Sequence, residues 1–159
     1  MMTFTMNTAM TSPSTQHNSA QQRLLDFYTT ISPNSLNRIF EIYAAEARFK
    51  DPFNDVKNPA QIRKIFEHMF ESLNKPQFTI LQCIAQDNHC FILWDLTFYF
   101  KSTQPDTRQT IHGGSHVIFN EEGMVSYHRD YWDAAEELYE KFPLLGSLLR
   151  WIKRRLCVH

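Results

Sequence analysis

Gly123-Met-Val-Ser-Tyr-His-Arg-Asp-Tyr-Trp-Asp133 opens on a turn glycine and continues as a strand with Ser126, His128 and Asp130 at alternate positions. It leaves through two aromatic residues into a helix. Alternate strand positions share a face. An inward face is normally apolar, because an unpaired polar group there costs about 1–3 kcal/mol. A histidine and an aspartate on one face therefore predict the polar floor of a pocket.

Upstream of this strand the sequence has the period of a sheet. Phe78 to Gln86 and His89 to Lys101 are β-rich runs separated by Asp87-Asn88, a hairpin signal. Ile111 to Phe119 and Met124 to Tyr131 form a second hairpin around Asn120-Glu-Glu-Gly123. Pairing Phe119 with Met124 puts Ser115, Val117 and Phe119 on the face of Ser126, His128 and Asp130. Pairing Gln86 with His89 puts Ile80, Gln82 and Ile84 beside Phe91, Leu93, Asp95 and Thr97. The opposite face then carries Cys90, Ile92, Trp94, Leu96 and Phe98. A strand apolar on one side and mixed on the other predicts a sheet covered on both faces, by helices on one and a second subunit, seated on Trp94, on the other.

Further toward the N-terminus the period is helical. Leu24, Leu25 and Tyr28 mark a first helix over 21–30, and Pro33 breaks it. Ser35 can cap a second helix carrying Leu36, Ile39, Phe40 and Tyr43, which ends at Ala47-Arg-Phe-Lys-Asp-Pro52. A third helix starts at Asn58-Pro59, uses Ile62, Ile65, Phe66, Met69 and Phe70, and stops at Asn74-Lys-Pro76. Beyond the last strand, Asp133 to Phe142 returns to helix, with Asp133 as its cap and Glu136 completing a capping box. Helices first and a meander after them predict an α+β fold: three N-terminal helices in the concave face of a curved antiparallel sheet, followed by C-terminal helices.

The chain has 159 residues, 43% of them hydrophobic, with thirteen phenylalanines and sixteen basic against seventeen acidic side chains. It reads as one domain with an aromatic interior and no global field to recruit nucleic acid. Residues 1–20, rich in Thr, Ser, Asn, Gln and Met, read as a disordered tail ahead of a domain over 21–142. Cys83, Cys90 and Cys157 follow no metal spacing and read as reduced thiols, Cys83 and Cys90 as diagonal neighbours on one sheet face. His112 and His116 read as solvated or stacking histidines. No metal and no organic cofactor is expected. No apolar run reaches the ~20 residues of a membrane span, and the N-terminus lacks a secretion signal, so a cytoplasmic setting is expected.

The element order, with Lys50-Asp-Pro-Phe53, Phe119-Asn-Glu-Glu-Gly123 and His128-Arg-Asp-Tyr-Trp-Asp133 as landmarks, resembles the nuclear transport factor 2-like superfamily, in particular its SnoaL-like branch. The resemblance covers about residues 21–142 and implies a cystatin-like cone with a pocket between sheet and helices, a fold that hosts many activities. Set against ketosteroid isomerase, it places Asp51 on the catalytic base. Phe27, next to Tyr28, falls on the oxyanion tyrosine, and Ser115 on the protonated aspartate. With one donor lost and one weakened, steroid-type isomerisation is not expected, since one oxyanion donor is worth roughly 10²–10³ in rate. Set against limonene epoxide hydrolase, it places Asp95 and Asp130 on the two aspartates and Leu93 on the arginine between them. Phe49 and Asp51 take the places of the water-holding tyrosine and asparagine.

The candidate catalytic residues are accordingly Asp130 as general base, His128 as its orienting partner, Asp95 as a paired acid and Asp51 as a second base. Ser115, Tyr28, Phe49, Phe53 and Leu93 are the candidate substrate contacts. Asp51 before Pro52 also fits a turn acceptor, and His128 with Asp130 also fits a structural ion pair. The function this implies is binding of a small hydrophobic molecule, with cofactor-free acid–base chemistry of isomerase, cyclase or hydrolase type. A non-catalytic ligand-binding or protein-interaction module is the alternative.

Residues 143–159 form a separate feature. On a helix, Leu144, Leu145, Leu148, Leu149, Ile152 and Leu156 make one stripe, with Arg150, Lys153 and Arg154 opposite. The stripe is expected to dock on the domain or on a dimer mate. Contact with an anionic membrane surface is the other use of such a helix.

Overall fold

A computed structural model describes residues 13–101, 105–141 and 143–157. Six strands form one curved sheet: β1 (Tyr43–Lys50), β2 (Asp55–Lys57), β3 (Leu73–Gln86), β4 (His89–Phe100), β5 (Gln109–Phe119) and β6 (Val125–Tyr131). Their spatial order is β2-β1-β6-β5-β4-β3, antiparallel throughout except where β1 runs parallel to β6. The helices α1 (Pro13–Thr29), α2 (Ile39–Ile42) and α3 (Pro59–Ser72) precede the meander, and α4 (Ala134–Glu137) and α5 (Pro143–Leu156) come after it. The α+β expectation is met.

The first helix starts at Pro13, earlier than expected, so residues 13–20 belong to it rather than to a tail; residues 1–12 lie outside the described residues. Ala20, Leu24, Phe27 and Tyr28 repeat at helical spacing and are buried against the sheet.

The expected second helix is the largest departure. A 3₁₀ turn (Pro33–Arg38) and the single turn of α2 end at Ile42, and Tyr43 enters extended backbone. The chain runs on as β1, with Tyr43, Ala47 and Phe49 buried. Helix-compatible residues such as Glu46, Ala47 and Arg48 become a strand because pairing with β6 satisfies the backbone while burying two aromatic rings. The short β2 pairs on the outside of β1 and bonds Arg48 to Asp55.

The third helix begins as expected, with Pro59 in its first turn and Asn58 accepting from the Gln61 amide at 3.0 Å. It passes directly into β3. Pro76 sits there at an interruption of the ladder on an edge strand, where a missing N–H does no harm. A second irregularity falls between Ile80 and Gln82. The hairpin register Gln86 with His89 is as expected, but this bulge moves Ile80 to the face opposite Gln82 and Ile84. The last hairpin pairs Ser115 with Asp130 and Val117 with His128, two residues from the expected register and with the same parity.

Strand β4 divides its faces as the sequence suggests but turns them the other way. Cys90, Ile92, Trp94, Leu96 and Phe98 face the helices and are buried; Phe91, Leu93, Asp95 and Thr97 face outward. Burial of the all-apolar row avoids placing a carboxylate in the core. Trp94 is therefore internal and cannot be a dimer contact. Gly113 lies opposite it, and a Cβ there would enter the indole ring. Cys83 and Cys90 are diagonal neighbours, as expected, and their free thiols lie in hydrogen-bond contact at 2.8 Å.

Asp133 caps α4 by accepting from the amides of Ala135 and Glu136. The expected helix to Phe142 is broken at Leu138, and a short 3₁₀ segment (Tyr139–Lys141) takes over.

Gly113→Ala is expected to destabilise the fold by about 1–3 kcal/mol in urea unfolding, the usual scale of overpacking. Combination with Trp94→Leu is expected to cost less than the sum of the two single changes, because the second removes the ring that the added methyl strikes.

Candidate active site

The parallel approach of β1 to β6 sets Tyr43 and Phe49 beside the inward residues His128 and Asp130. His128 is buried to 1% exposure, with the Phe49 ring 4.9 Å away and the Tyr43 ring stacked at 6.0 Å. Both ring nitrogens are engaged. Nδ1 lies 2.8 Å from the Tyr43 hydroxyl, and Nε2 lies 2.8 Å from Asp130 Oδ1. Tyr43 continues to the Tyr28 hydroxyl at 2.8 Å. On the other side, Ser115 donates to Asp130 Oδ1 at 2.5 Å, and the Trp94 indole N–H donates to Ser115 Oγ at 2.8 Å.

One set of proton positions closes this chain: Tyr28 donates to Tyr43, Tyr43 to Nδ1, Nε2–H to the Asp130 carboxylate, and Ser115 to the same oxygen. The imidazole is then neutral and the carboxylate ionised. Burial, reinforced by the Asp130 charge, raises the pKa of both tyrosines far above the usual phenol value, so they remain donors. Asp130 retains 18% side-chain exposure, which opens it to the cavity.

Two spaces adjoin this chain. The inner one, walled by Tyr28, Phe78, Trp94, Ser115, His128 and Asp130, has a volume of about 10 Å³, at the lower limit for one water. The outer one, about 420 Å³, is the hollow of the cone. Phe49, Phe66, Met69, Trp94, Phe98 and Trp132 supply much of its apolar wall, and Asp130 and Asp51 contribute to its lining.

The candidates thus separate. Asp130, His128 and Ser115 converge as expected, and Tyr28 and Phe49 wall the site. Phe53 stands exposed at the mouth, its ring 5.4 Å from Trp132. Asp51 reaches the rim, but its Oδ1 accepts from the amides of Phe53 and Asn54, and the Asn54 side chain spans both oxygens. It is a turn residue rather than a free base. Asp95 and Leu93 are corrections: both lie on the outer sheet face, because the apolar row of β4 takes the inside. Asp95 pairs there with His112 Nδ1 at 2.7 Å, so the two-aspartate arrangement of the epoxide hydrolase is not formed.

Tyr43 and Trp94 belong to this hydrogen-bonded chain and are missed by sequence reasoning, since it puts Tyr43 in a helix and Trp94 at a subunit contact. The signal available is the polar edge of each ring, which in a core seeks a partner.

The outer face holds His89, His112 and His116. His116 stacks on His89 at 5.2 Å, with Nδ1 of His89 3.0 Å from Nε2 of His116. Burial and the neighbouring histidines lower the His116 pKa, while the hydrogen bond and charge of Asp95 raise that of His112.

Residues 24–128 match the family model of the SnoaL-like domain. No curated protein matches the chain in sequence. Among solved structures, a Catenulispora acidiphila protein with a ketosteroid isomerase-like fold, solved with trimethylamine, is 16% identical. It aligns over 75% of this chain and 88% of its own, with a TM-score of 0.63. A protein of Jannaschia sp. CCS1 assigned as a SnoaL-like polyketide cyclase is 14% identical over 80% and 92%, with a TM-score of 0.63. An M. tuberculosis LEH-like epoxide hydrolase is 11% identical over 88% and 97%, with a TM-score of 0.62. At these identities the likeness is one of fold.

Proton NMR is expected to show His112 titrating above the ordinary imidazole range and returning to it in Asp95→Asn, with His116 titrating below that range. The signs for stability are opposite. The His112 contribution is present below the unfolded imidazole pKa of ~6.5 and lost as pH rises through its raised folded value. The His116 contribution is present above that pKa and lost as pH falls through its lowered one.

Proposed function

The chain belongs to the SnoaL-like domain family, and on that footing we propose that its cone binds a small hydrophobic molecule and carries out cofactor-free acid–base chemistry on it. The observation that carries this is Asp130. It is a carboxylate held on one oxygen by Ser115 and His128 and set in the wall of a mostly apolar hollow of about 420 Å³. Such a site suits one proton transfer. Asp130 takes a proton from a C–H beside a carbonyl, leaving an enolate and a neutral carboxylic acid, and the proton returns to carbon or oxygen at another position. His128 fixes the carboxylate, and the two tyrosines fix the histidine.

Within the reaction types open to this fold, isomerase or cyclase chemistry is favoured over hydrolysis. Hydrolysis of the two-aspartate kind needs a second acid in the cavity, and Asp95 is on the other face. The Ser115 hydroxyl already donates to Asp130, so a donor for the enolate oxygen has to come from elsewhere in the hollow or from the substrate itself.

The reading includes a homodimer through the outer face. Leu81, Ile84, Phe91 and Leu93 are all exposed there, an apolar group that a second copy would cover. It includes a reducing, cytoplasmic setting, for which the apposed free thiols of Cys83 and Cys90 argue, since an oxidising compartment favours disulfides.

Deuterium wash-in from D2O, run over a panel of small hydrophobic ketones, tests the chemistry. The wild-type chain is expected to exchange at least one α-C–H, and Asp130→Asn is expected to lower that rate by roughly 10²–10⁴-fold while the fold survives. Exchange unchanged by Asp130→Asn removes the base. A ketone bound equally by both forms without exchange gives the non-catalytic module instead. For the dimer, sedimentation at micromolar concentration is expected to show two copies, and Leu93→Glu is expected to give one.

A further inference from the structure

Helix α5 is amphipathic, but it is attached to the domain by its polar side. Lys153 pairs with Glu136 at 2.8 Å and with Glu140 at 2.9 Å, and Arg150 donates to the Glu140 carbonyl at 3.1 Å. Gly146 lies on the same side and so close to that carbonyl that a Cβ would collide with it. These positions, 146, 150 and 153, are three and four apart and form one face. The stripe expected to dock is on the other side. Leu144 is 91% exposed and Leu156 78%, and Leu145, Leu148, Trp151 and Ile152 are exposed between them. A helix stabilised by its own domain shows the reverse arrangement.

The charges on α5 say what can cover the stripe. The helix carries Arg150, Lys153, Arg154 and Arg155 and no acidic residue. Glu136 and Glu140 engage Lys153, while Arg154 and Arg155 have no ion pair among the described residues; the Arg155 guanidinium lies 4.2 Å over the Trp151 ring. A second α5 laid against the first would bring cation to cation with nothing to neutralise them. The occupant must be apolar in depth and anionic at its edge. The stripe also covers roughly half of the helix circumference, wider than the two-in-seven seam by which one helix grips another. A flat interface with negative headgroups meets all of these requirements.

We propose that α5 is a membrane-surface helix, clamped to the domain through Gly146, Arg150 and Lys153 so that its apolar stripe and its unpaired arginines meet an anionic lipid leaflet. Its leucines and Trp151 enter the acyl boundary, and Arg154 and Arg155 contact phosphate at the end of the stripe. This surface is separate from the cone and does not depend on what the cone does.

Flotation of the full chain with vesicles tests it. The protein is expected to float with phosphatidylcholine vesicles containing phosphatidylserine, far less with phosphatidylcholine alone, and to be released by high salt. Leu144→Glu and Leu148→Glu, both at exposed positions, are expected to lower binding at least tenfold with an unchanged circular dichroism spectrum. Arg154→Gln and Arg155→Gln are each expected to lower binding to the anionic vesicles about fivefold and to leave the neutral ones unaffected. Failure to float with any vesicle overturns the proposal, as does binding indifferent to Leu144→Glu. A self-associated species that Leu148→Glu dissolves, without effect on vesicles, assigns the stripe to a second copy and overturns it too.

Discussion

The two bonds of the His128 ring are the constraint on which the interior depends. A fully buried imidazole needs a partner for each nitrogen, and each unmet one costs about 1–3 kcal/mol. Asp130 comes from the same strand two residues on, but the other partner must arrive from elsewhere. That requirement accounts for β1: only a strand laid beside β6 brings Tyr43 to Nδ1. Tyr43 in turn needs Tyr28 from α1, and Asp130 needs Ser115 from β5, which Trp94 of β4 supports. Five elements are thus tied to one ring.

How much of the structure is legible in the sequence depends on the range over which each decision is made. The polar floor of β6 is readable because residues 126, 128 and 130 alternate within one strand, and the partnership with Ser115 because parity survives a register error of two. The helical start at Pro59 and the cap at Asp133 are local, and both are found. The strand β1 is not readable, because Glu46-Ala-Arg48 is locally helical and becomes extended only through a partner about eighty residues away. The bulge near Leu81 carries no turn residue to announce it.

Asp95 shows a different limit. Its strand divides into two rows, one apolar and one mixed, as the sequence implies, but the resemblance to an epoxide hydrolase draws the mixed row inward. The energetics favour the opposite. Five apolar side chains gain from burial, and the outward carboxylate finds His112 across the strand pair. The stripe on α5 presents the same problem. Its existence lies in the spacing of the leucines. The direction it faces is set by Glu136 and Glu140, which lie outside the helix and draw Lys153 and Arg150 toward the domain. In both places periodicity identifies a face, and only the surroundings decide where that face points.

Turning Asp95 outward narrows the chemistry as well as the packing. With two carboxylates in the cavity, one can protonate a leaving oxygen while the other activates water. On the proposed reading, with Asp130 as the one freely placed carboxylate and Asp51 held by four hydrogen bonds in its turn, the group that removes a proton is also the group that gives it back. Reactions with no net proton consumed, such as isomerisation and ring closure by addition, fit that requirement. Ser115 and His128 are suited to it: both donate to Oδ1, so the charge is held in place while Oδ2 carries neither of these bonds. On the proposed reading, the apolar wall acts on the substrate rather than on the base, holding a hydrophobic molecule against a carboxylate whose position is fixed before the substrate enters.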